Sequence, residues 1–425
     1  MDTTPRYYIL FAVCIAAHGE CAPVRATGQT AATTLAASAA IAPEVVRLDL
    51  DRDAARQVVV DKEPGVYLGH VSTVNLDDGT TILAAYPKGH GQGPIILKRS
   101  TDGGKTWSDH LPVPESWATS KETPTLFRVG KTDRVGGRGE SLILFSGLYP
   151  IRAARSADGG ATWTDLAPIG DFGGIVAMGG LADLGEGKFA AFFHDDGRFI
   201  AAPTLGGKAT GTFTLYQTDT TDRGATWSAP RALWSGSDIH LCEPGVVASP
   251  DGKTLALLLR ENRRVKNAHV MFSTDKAATW SPPRELPTSL TGDRHIAAYA
   301  KDGRLVVTFR CMVKGDPWAG DWVAWVGTWD EIARPAPAAP PAMDAAAPGS
   351  KDAAPAAPRS YMVRLKDNLT AWDCGYAGLE SLEDDTLVAT TYGTWAVGEK
   401  PSILCVRFTL AELDALAAQT ARSAR

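Results

Sequence analysis

Four copies of one eight-residue turn restrict what this chain can fold into more than any other feature. They are Ser100-Thr-Asp-Gly-Gly-Lys-Thr-Trp107, Ser156-Ala-Asp-Gly-Gly-Ala-Thr-Trp163, Thr220-Thr-Asp-Arg-Gly-Ala-Thr-Trp227 and Ser273-Thr-Asp-Lys-Ala-Ala-Thr-Trp280, with tryptophans 56, 64 and 53 residues apart. That period suits a unit of several strands and is too long for a helical-pair solenoid. Each copy has a mechanical reading: the Asp caps turn amides, Gly takes a positive φ, and Trp packs beneath the hairpin. Ala277 stands where the other copies have Gly, which predicts a strained or differently shaped fourth turn.

A second repeat runs in step with the first, a strand with a polar or small head followed by a turn and an apolar strand. The second strands are Thr81–Tyr86, Leu142–Ser146, Phe189–His194, Leu255–Arg260, Leu305–Arg310 and Leu387–Tyr392. Their first strands begin at His70, Glu122, Met178, Glu243, Arg294 and Tyr376. Six pairs predict six sheets, and sheets at this period close most easily as an all-β, six-bladed propeller. The 42 glycines and 12 tryptophans among 425 residues fit many short strands and tight turns.

The chain divides into an expected leader at 1–22, an Ala/Thr-rich tether at 23–44 and a propeller at 45–425. A Pro/Ala-rich stretch at about 334–358 offers nothing to bury and predicts a flexible insertion. Thr409-Leu-Ala-Glu412 followed by Leu413, Leu416 and Ala417 predicts a short C-terminal helix over about 409–422. At the start, Arg6 precedes an eleven-residue apolar run from Tyr7 to Ala17. It is too short to span ~30 Å of hydrocarbon and has the form of a signal-peptide core, so export to the periplasm or exterior is expected. Cys14 and Cys21 leave a lipid anchor as an alternative.

Composition excludes more than it specifies. Lys and Arg number 43 against 48 Asp and Glu, a net charge of −5 that lacks the cationic excess a nucleic-acid binder needs. Cys242, Cys311, Cys374 and Cys405 have no metal-binding spacing, and His70, His90 and His194 come from separate strand pairs, so neither a metal nor another cofactor is implied.

The repeated Ser-x-Asp-x-Gly-x-Thr-Trp turn resembles the Asp-box of the sialidase (neuraminidase) superfamily, over roughly residues 45 to 410. The resemblance implies a sialidase-type propeller with its boxes on the rim, and it bears on activity only weakly, because such boxes also occur in propellers without chemistry. Family enzymes grip a substrate carboxylate with three arginines and use a Tyr nucleophile activated by Glu, with an Asp acid/base. Cys242-Glu-Pro-Gly through Arg260 is similar to the family's Glu and second arginine, and Asp373-Cys-Gly-Tyr376 resembles the nucleophile segment. Arg310 follows as the third arginine, with Arg294 as its competitor. Where the first arginine is expected the chain has His70, and the loop Tyr86–Gly93 lacks the acid/base carboxylate.

The heads of the strand pairs supply the candidate site. Tyr376, Glu243 and Asp195 are the candidate catalytic residues, Asp195 as a replacement acid. Arg260, Arg310, Arg294, His70, Glu122, Lys88 and Tyr392 are the candidate substrate contacts, and Tyr86 belongs to the same set. Each also has an ordinary structural role open to it: a Tyr bonded to backbone, arginines in rim ion pairs, an Asp-Asp-Gly turn. The expected activity is retaining hydrolysis of a terminal, sialic-acid-type acidic sugar from a glycan. The alternatives are a superfamily hydrolase for another glycan and a glycan-binding or assembly propeller without catalysis. If His70 meets the carboxylate, turnover should improve as pH falls through about 6.5.

Overall fold

The computed structural model describes residues 45–131, 140–334 and 360–423. The expected leader, the tether and the insertion beyond Arg334 lie outside the described residues. Six sheets follow one another along the chain. Blade I holds Ser72–Asn75, Ile82–Pro87 and Ile95–Ser100, and blade II runs from Pro124–Lys131 to Ala167–Pro168. Blade III begins at Ile175–Gly185, blade IV at Leu241–Ala248, blade V at Gly292–Tyr299 and blade VI at Ala377–Ser381. Each of the six predicted strand pairs is an antiparallel pair at the inner edge of one blade. Gln57–Asp61 closes the ring by pairing antiparallel with Ser402–Phe408 of blade VI, and Val46–Asp49 pairs parallel with Tyr361–Lys366 of blade V.

A blade is apolar on both faces because it has a neighbour on each side. Six apolar seams result, one per junction. Val388, Tyr392 and Ile403 of blade VI meet Ile82, Ala84 and Tyr86 of blade I in one of them. The Asp-box tryptophans stitch these seams: Trp227 of blade III stands edge-on to Phe145 of blade II, and Trp280 of blade IV edge-on to Phe192 of blade III. Within each box the Asp accepts the Thr backbone N–H at 2.9 Å, and the leading Ser or Thr hydroxyl accepts the amide of the residue four positions on. Ala277 keeps these bonds by adopting φ +64°, against +80° for Gly104, Gly160 and Gly224, so the fourth turn has the common shape and bears the strain.

Two glycines let the inner strands crowd the axis. A Cβ on Gly245 would lie 2.1 Å from the His295 carbonyl, and one on Gly378 1.7 Å from Thr73 Oγ1. The strands enclose an axial cavity of about 230 Å³ bordered by Thr73, Gly179, Gly245 and Arg294. The terminal helix, Leu410–Ser423, starts with the expected capping box, in which Glu412 accepts the Thr409 N–H at 2.7 Å and Thr409 Oγ1 accepts the Glu412 N–H at 3.2 Å. Leu410, Leu413 and Ala417 seat it on the seam between blades V and VI. Among the described residues no helix is long and apolar enough to cross a membrane, and Cys242, Cys311, Cys374 and Cys405 are buried free thiols.

Candidate active site

Five of the six inner strands have a residue in the left-handed region within their first three positions or two residues before them: His70 at φ +56°, Val176 at +49°, Glu243 at +50°, Arg294 at +57° and Gly375 at +93°. In blades III, IV and V the ladder loses register at the same place, between Ile175 and Gly180, Cys242 and Gly245, and Asp293 and Ile296. Non-glycine residues persist there only where surrounding packing over-determines them, which is common at functional sites. The bulges release the strand heads from strict alternation, so consecutive side chains reach different partners around the axis.

Two of those heads meet directly. Tyr376 Oη donates to Glu243 Oε1 at 2.6 Å, and Arg260 Nη1 donates to the same oxygen at 2.6 Å. Both residues are buried, at 8% and 4% exposure. Burial alone would raise the Glu243 carboxyl. The Arg260 charge and the Tyr376 hydrogen bond outweigh it and hold Glu243 well below the usual carboxylate range. Tyr376 moves the other way, pushed up first by burial and then by the Glu243 charge. The result is an anionic carboxylate on a neutral phenol.

A residue that sequence reasoning missed, Asp293, lies against Arg260 and Arg310, the two arginines expected to grip a carboxylate. Its Oδ1 lies 3.2 Å from Arg260 Nε and 2.7 Å from Arg264 Nη1, and its Oδ2 accepts from Arg264 Nη2 at 2.7 Å and Arg310 Nε at 3.0 Å. Arg310 also donates to the carbonyls of Trp372 and Cys374, and Arg260 to Asn262 Oδ1 at 2.6 Å. Three guanidinium groups thus surround one resident carboxylate that is 1% exposed. Arg294 differs. It is 4% exposed, its Cζ stands 5.7 Å from the Tyr376 ring centroid, and its Nη1 is buried with no hydrogen-bond partner among the described residues. Burial lowers its pKa, while the Glu243 and Glu122 charges pull the other way.

Glu122 sits deep beside this group. Its Oε2 accepts the Val176 N–H at 2.6 Å, and burial, outweighing that bond, raises its carboxyl to about 8. His70 is packed among Tyr376, Tyr392 and His90, with ring centroids 4.5, 4.6 and 4.7 Å away. Its Nδ1 accepts the Gly91 N–H at 3.1 Å, which places the proton of the neutral ring on Nε2, 3.3 Å from Tyr392 Oη. Burial lowers His70 to about 3, so the expected gain in charge near pH 6.5 does not apply to it.

A carboxylate at the mouth completes the set. Asp373 Oδ1 accepts from Tyr67 Oη at 2.7 Å and Tyr392 Oη at 3.1 Å, and lies 3.5 Å from Nε2 of the exposed His90. Asp373 raises the His90 pKa through that contact, against the opposing effect of partial burial. His90 stands in the loop Tyr86–Gly93 that lacks a carboxylate.

Three candidates are placed elsewhere. Asp195 accepts the amides of Gly197 and Phe199 at 2.6 and 3.1 Å, so its carboxylate shapes the loop after the second strand of blade III. Lys88 is exposed and donates to Glu63 at 2.7 Å. Tyr86 is buried with its hydroxyl on Asp61.

Residues 148–316 match the family described as a BNR repeat-like domain. A sialidase of Micromonospora viridifaciens is 28% identical over 233 residues, which cover 49% of this chain and 35% of that protein's length, so the chain matches about a third of this curated relative. The fold is similar to a Dyadobacter fermentans DSM 18053 protein of unknown function, with a TM-score of 0.59, 14% identity and coverage of 83% of this chain and 97% of that one. It is also similar to the intramolecular trans-sialidase from Ruminococcus gnavus, with a TM-score of 0.51, 15% identity and coverage of 82% and 95%. Ring, rim turns and matched repeat define a six-bladed propeller of the BNR-repeat class. The chain is similar in its repeats and its fold to sialidases.

Proposed function

We propose that this protein is an exported exo-glycosidase that cleaves a terminal acidic sugar from a glycan with retention of configuration. The observation that carries the proposal is the 2.6 Å bond from Tyr376 Oη to Glu243 Oε1. A phenol is a poor nucleophile until a base takes its proton, and here the base is already in hydrogen-bond contact. Tyr376 Oη attacks the anomeric carbon while its proton passes to Glu243. The glycosidic C–O bond breaks, and the leaving oxygen takes a proton from His90, held by Asp373. Water then attacks the glycosyl-tyrosine, gives a proton to His90, and Tyr376 leaves with the proton returned by Glu243. The net reaction consumes one water and releases the sugar and its aglycone.

Charge supports an acidic sugar. Four guanidinium groups, on Arg260, Arg264, Arg294 and Arg310, face the carboxylates of Asp293 and Glu243, while burial favours the neutral form of Glu122. An anionic sugar would also repel a carboxylate nucleophile, and a neutral Tyr relays the charge of Glu243 from a distance. The test is hydrolysis of a panel of aryl glycosides, sialosides and uronides included, by wild type, Tyr376→Phe and Glu243→Gln. Turnover by wild type with retention seen by NMR, lost in both variants, supports the reading. Equal turnover by Tyr376→Phe overturns it.

A further inference from the structure

We infer that the indole of Trp372 is a platform for the aglycone of the glycan, receiving the apolar face of a neutral pyranose next to the sugar that is cleaved. This inference rests on the glycosidase reading above and concerns the leaving side of the same site. Among the described residues six large apolar side chains are exposed, and three of them, Leu369, Trp372 and Val397, come from two loops of blade VI. One loop leads into Ala377–Ser381 and the other leaves Leu387–Gly393, and the pairing of Ala377 with Thr391 puts both at the same end of the blade. They are joined there: the Leu369 N–H donates to the Thr394 carbonyl and the Thr394 N–H to Asn368 Oδ1, each at 3.1 Å. Apolar side chains gathered on adjoining exposed loops mark binding surfaces, where single scattered ones do not.

Trp372 is the one aromatic ring among the six, and it is unfavourable to the fold twice over. It is 62% exposed, and its backbone stands at φ +77°, a region that bulky residues rarely enter. Neighbouring bonds hold it there: its carbonyl accepts from Arg310 Nη1, and the Asp373 N–H donates to the Thr370 carbonyl at 3.2 Å. A strained residue whose ring contributes little to the core is of the kind that functional sites keep. Its place in the chain points to the function. The next residue, ~3.8 Å along the backbone, is Asp373, which holds His90, the group that protonates the leaving oxygen in the reading above. The ring thus flanks the side from which the aglycone departs. Hydrogen bonds from His90 and Tyr67 outweigh burial and keep Asp373 below its ordinary value, so an acidic aglycone would meet a like charge. A neutral pyranose meets none, and it can cover the indole with its C–H groups while its hydroxyls stay in water.

The test compares two aglycones on each of two acid sugars: the methyl α-glycoside of N-acetylneuraminic acid and its α-linked disaccharide with galactose, and the methyl β-glycoside of D-glucuronic acid and its β-linked disaccharide with galactose. The proteins are full-length wild type, Trp372→Phe and Trp372→Asn, the last chosen because Asn tolerates a positive φ. On the acid sugar that it hydrolyses, wild type should favour the galactose aglycone over methyl in kcat/KM. Trp372→Asn should cut that preference by about two- to tenfold, the scale of one aromatic contact, mainly through KM, with Trp372→Phe in between. An unchanged preference in Trp372→Asn, with or without a lower melting temperature, overturns the inference. So does a wild type indifferent to the aglycone. If wild type hydrolyses none of the four compounds, calorimetric titration with the same four decides. A disaccharide that binds more tightly than its methyl glycoside, by a margin that Trp372→Asn reduces, would sink the glycosidase reading and leave the Trp372 assignment standing. Binding that is absent, or equal in the two proteins, would overturn the assignment as well.

Discussion

Asp293 and Arg294 are consecutive in the chain, yet the first is bonded to three arginines of blades IV and V and the second lies against the ring of Tyr376 in blade VI. The left-handed backbone at Arg294, within the break in register after Asp293, accompanies this parting of the two side chains. Replacement of Asp293 by Ala would leave three guanidinium groups without their common counter-charge. Breaking a buried pair of this kind costs about 3–5 kcal/mol. Urea denaturation of Asp293→Ala should show a loss of that order, with Asp293→Asn less affected because it keeps an acceptor. A loss below about 1 kcal/mol, the scale of exposed pairs, would mean that the cluster is solvated in solution.

The fold was legible because its signals are local. A Ser-x-Asp-x-Gly turn closes on its own hydrogen bonds whatever surrounds it, and all four copies do so with the same bonds. Strand heads were legible as a set, since a propeller must bring them to one axis, and Glu243, Arg260, Arg310 and Tyr376 are brought together there. Their pairings were not legible. Asp293 directly precedes Arg294 and gave no sign of its partners, because a bulge that breaks the two-residue period leaves no mark in the pattern. Asp195 was ambiguous for the opposite reason, since Asp-Asp-Gly reads equally as acid or as turn, and its oxygens accept amides two and four residues on.

His90 is predicted to act on the leaving group. His90→Gln should slow hydrolysis of an alkyl glycoside, whose alkoxide needs a proton, by about 10²–10⁴-fold, and scarcely slow a dinitrophenyl glycoside, which leaves unaided. Because Asp373 raises the His90 pKa, the acid form persists above the ordinary His value of about 6.5, and activity should fall only at higher pH. Asp373→Asn should move that alkaline limb down. An equal loss on both substrates would assign His90 a structural role.

Glu122 predicts a second pH dependence. Its carboxyl, raised to about 8 by burial, faces Arg294, Glu243 and the Val176 amide. Above that pH it ionises and competes with a ligand anion for Arg294, so acid-sugar affinity should fall as pH rises through 8 and stay flat in Glu122→Gln. Stability carries the same sign. The folded state holds a proton that the unfolded chain, with its Glu value near 4.3, releases earlier. Unfolding free energy should therefore decline from about pH 4.3 to 8 in wild type and less steeply in Glu122→Gln. A wild-type slope unchanged in the variant would place the titration elsewhere.

The most direct measurement is capture of the covalent intermediate. Wild type is incubated with a fluorinated, activated glycosyl fluoride of the sugar it turns over, and the digested protein is mapped by mass spectrometry. The bond between Tyr376 and Glu243 predicts a glycosyl mass on the peptide containing Tyr376, absent from Tyr376→Phe and much slower to form in Glu243→Gln. A glycosyl mass on a carboxylate such as Glu122, or turnover that inverts the anomeric centre and leaves no adduct, would contradict it.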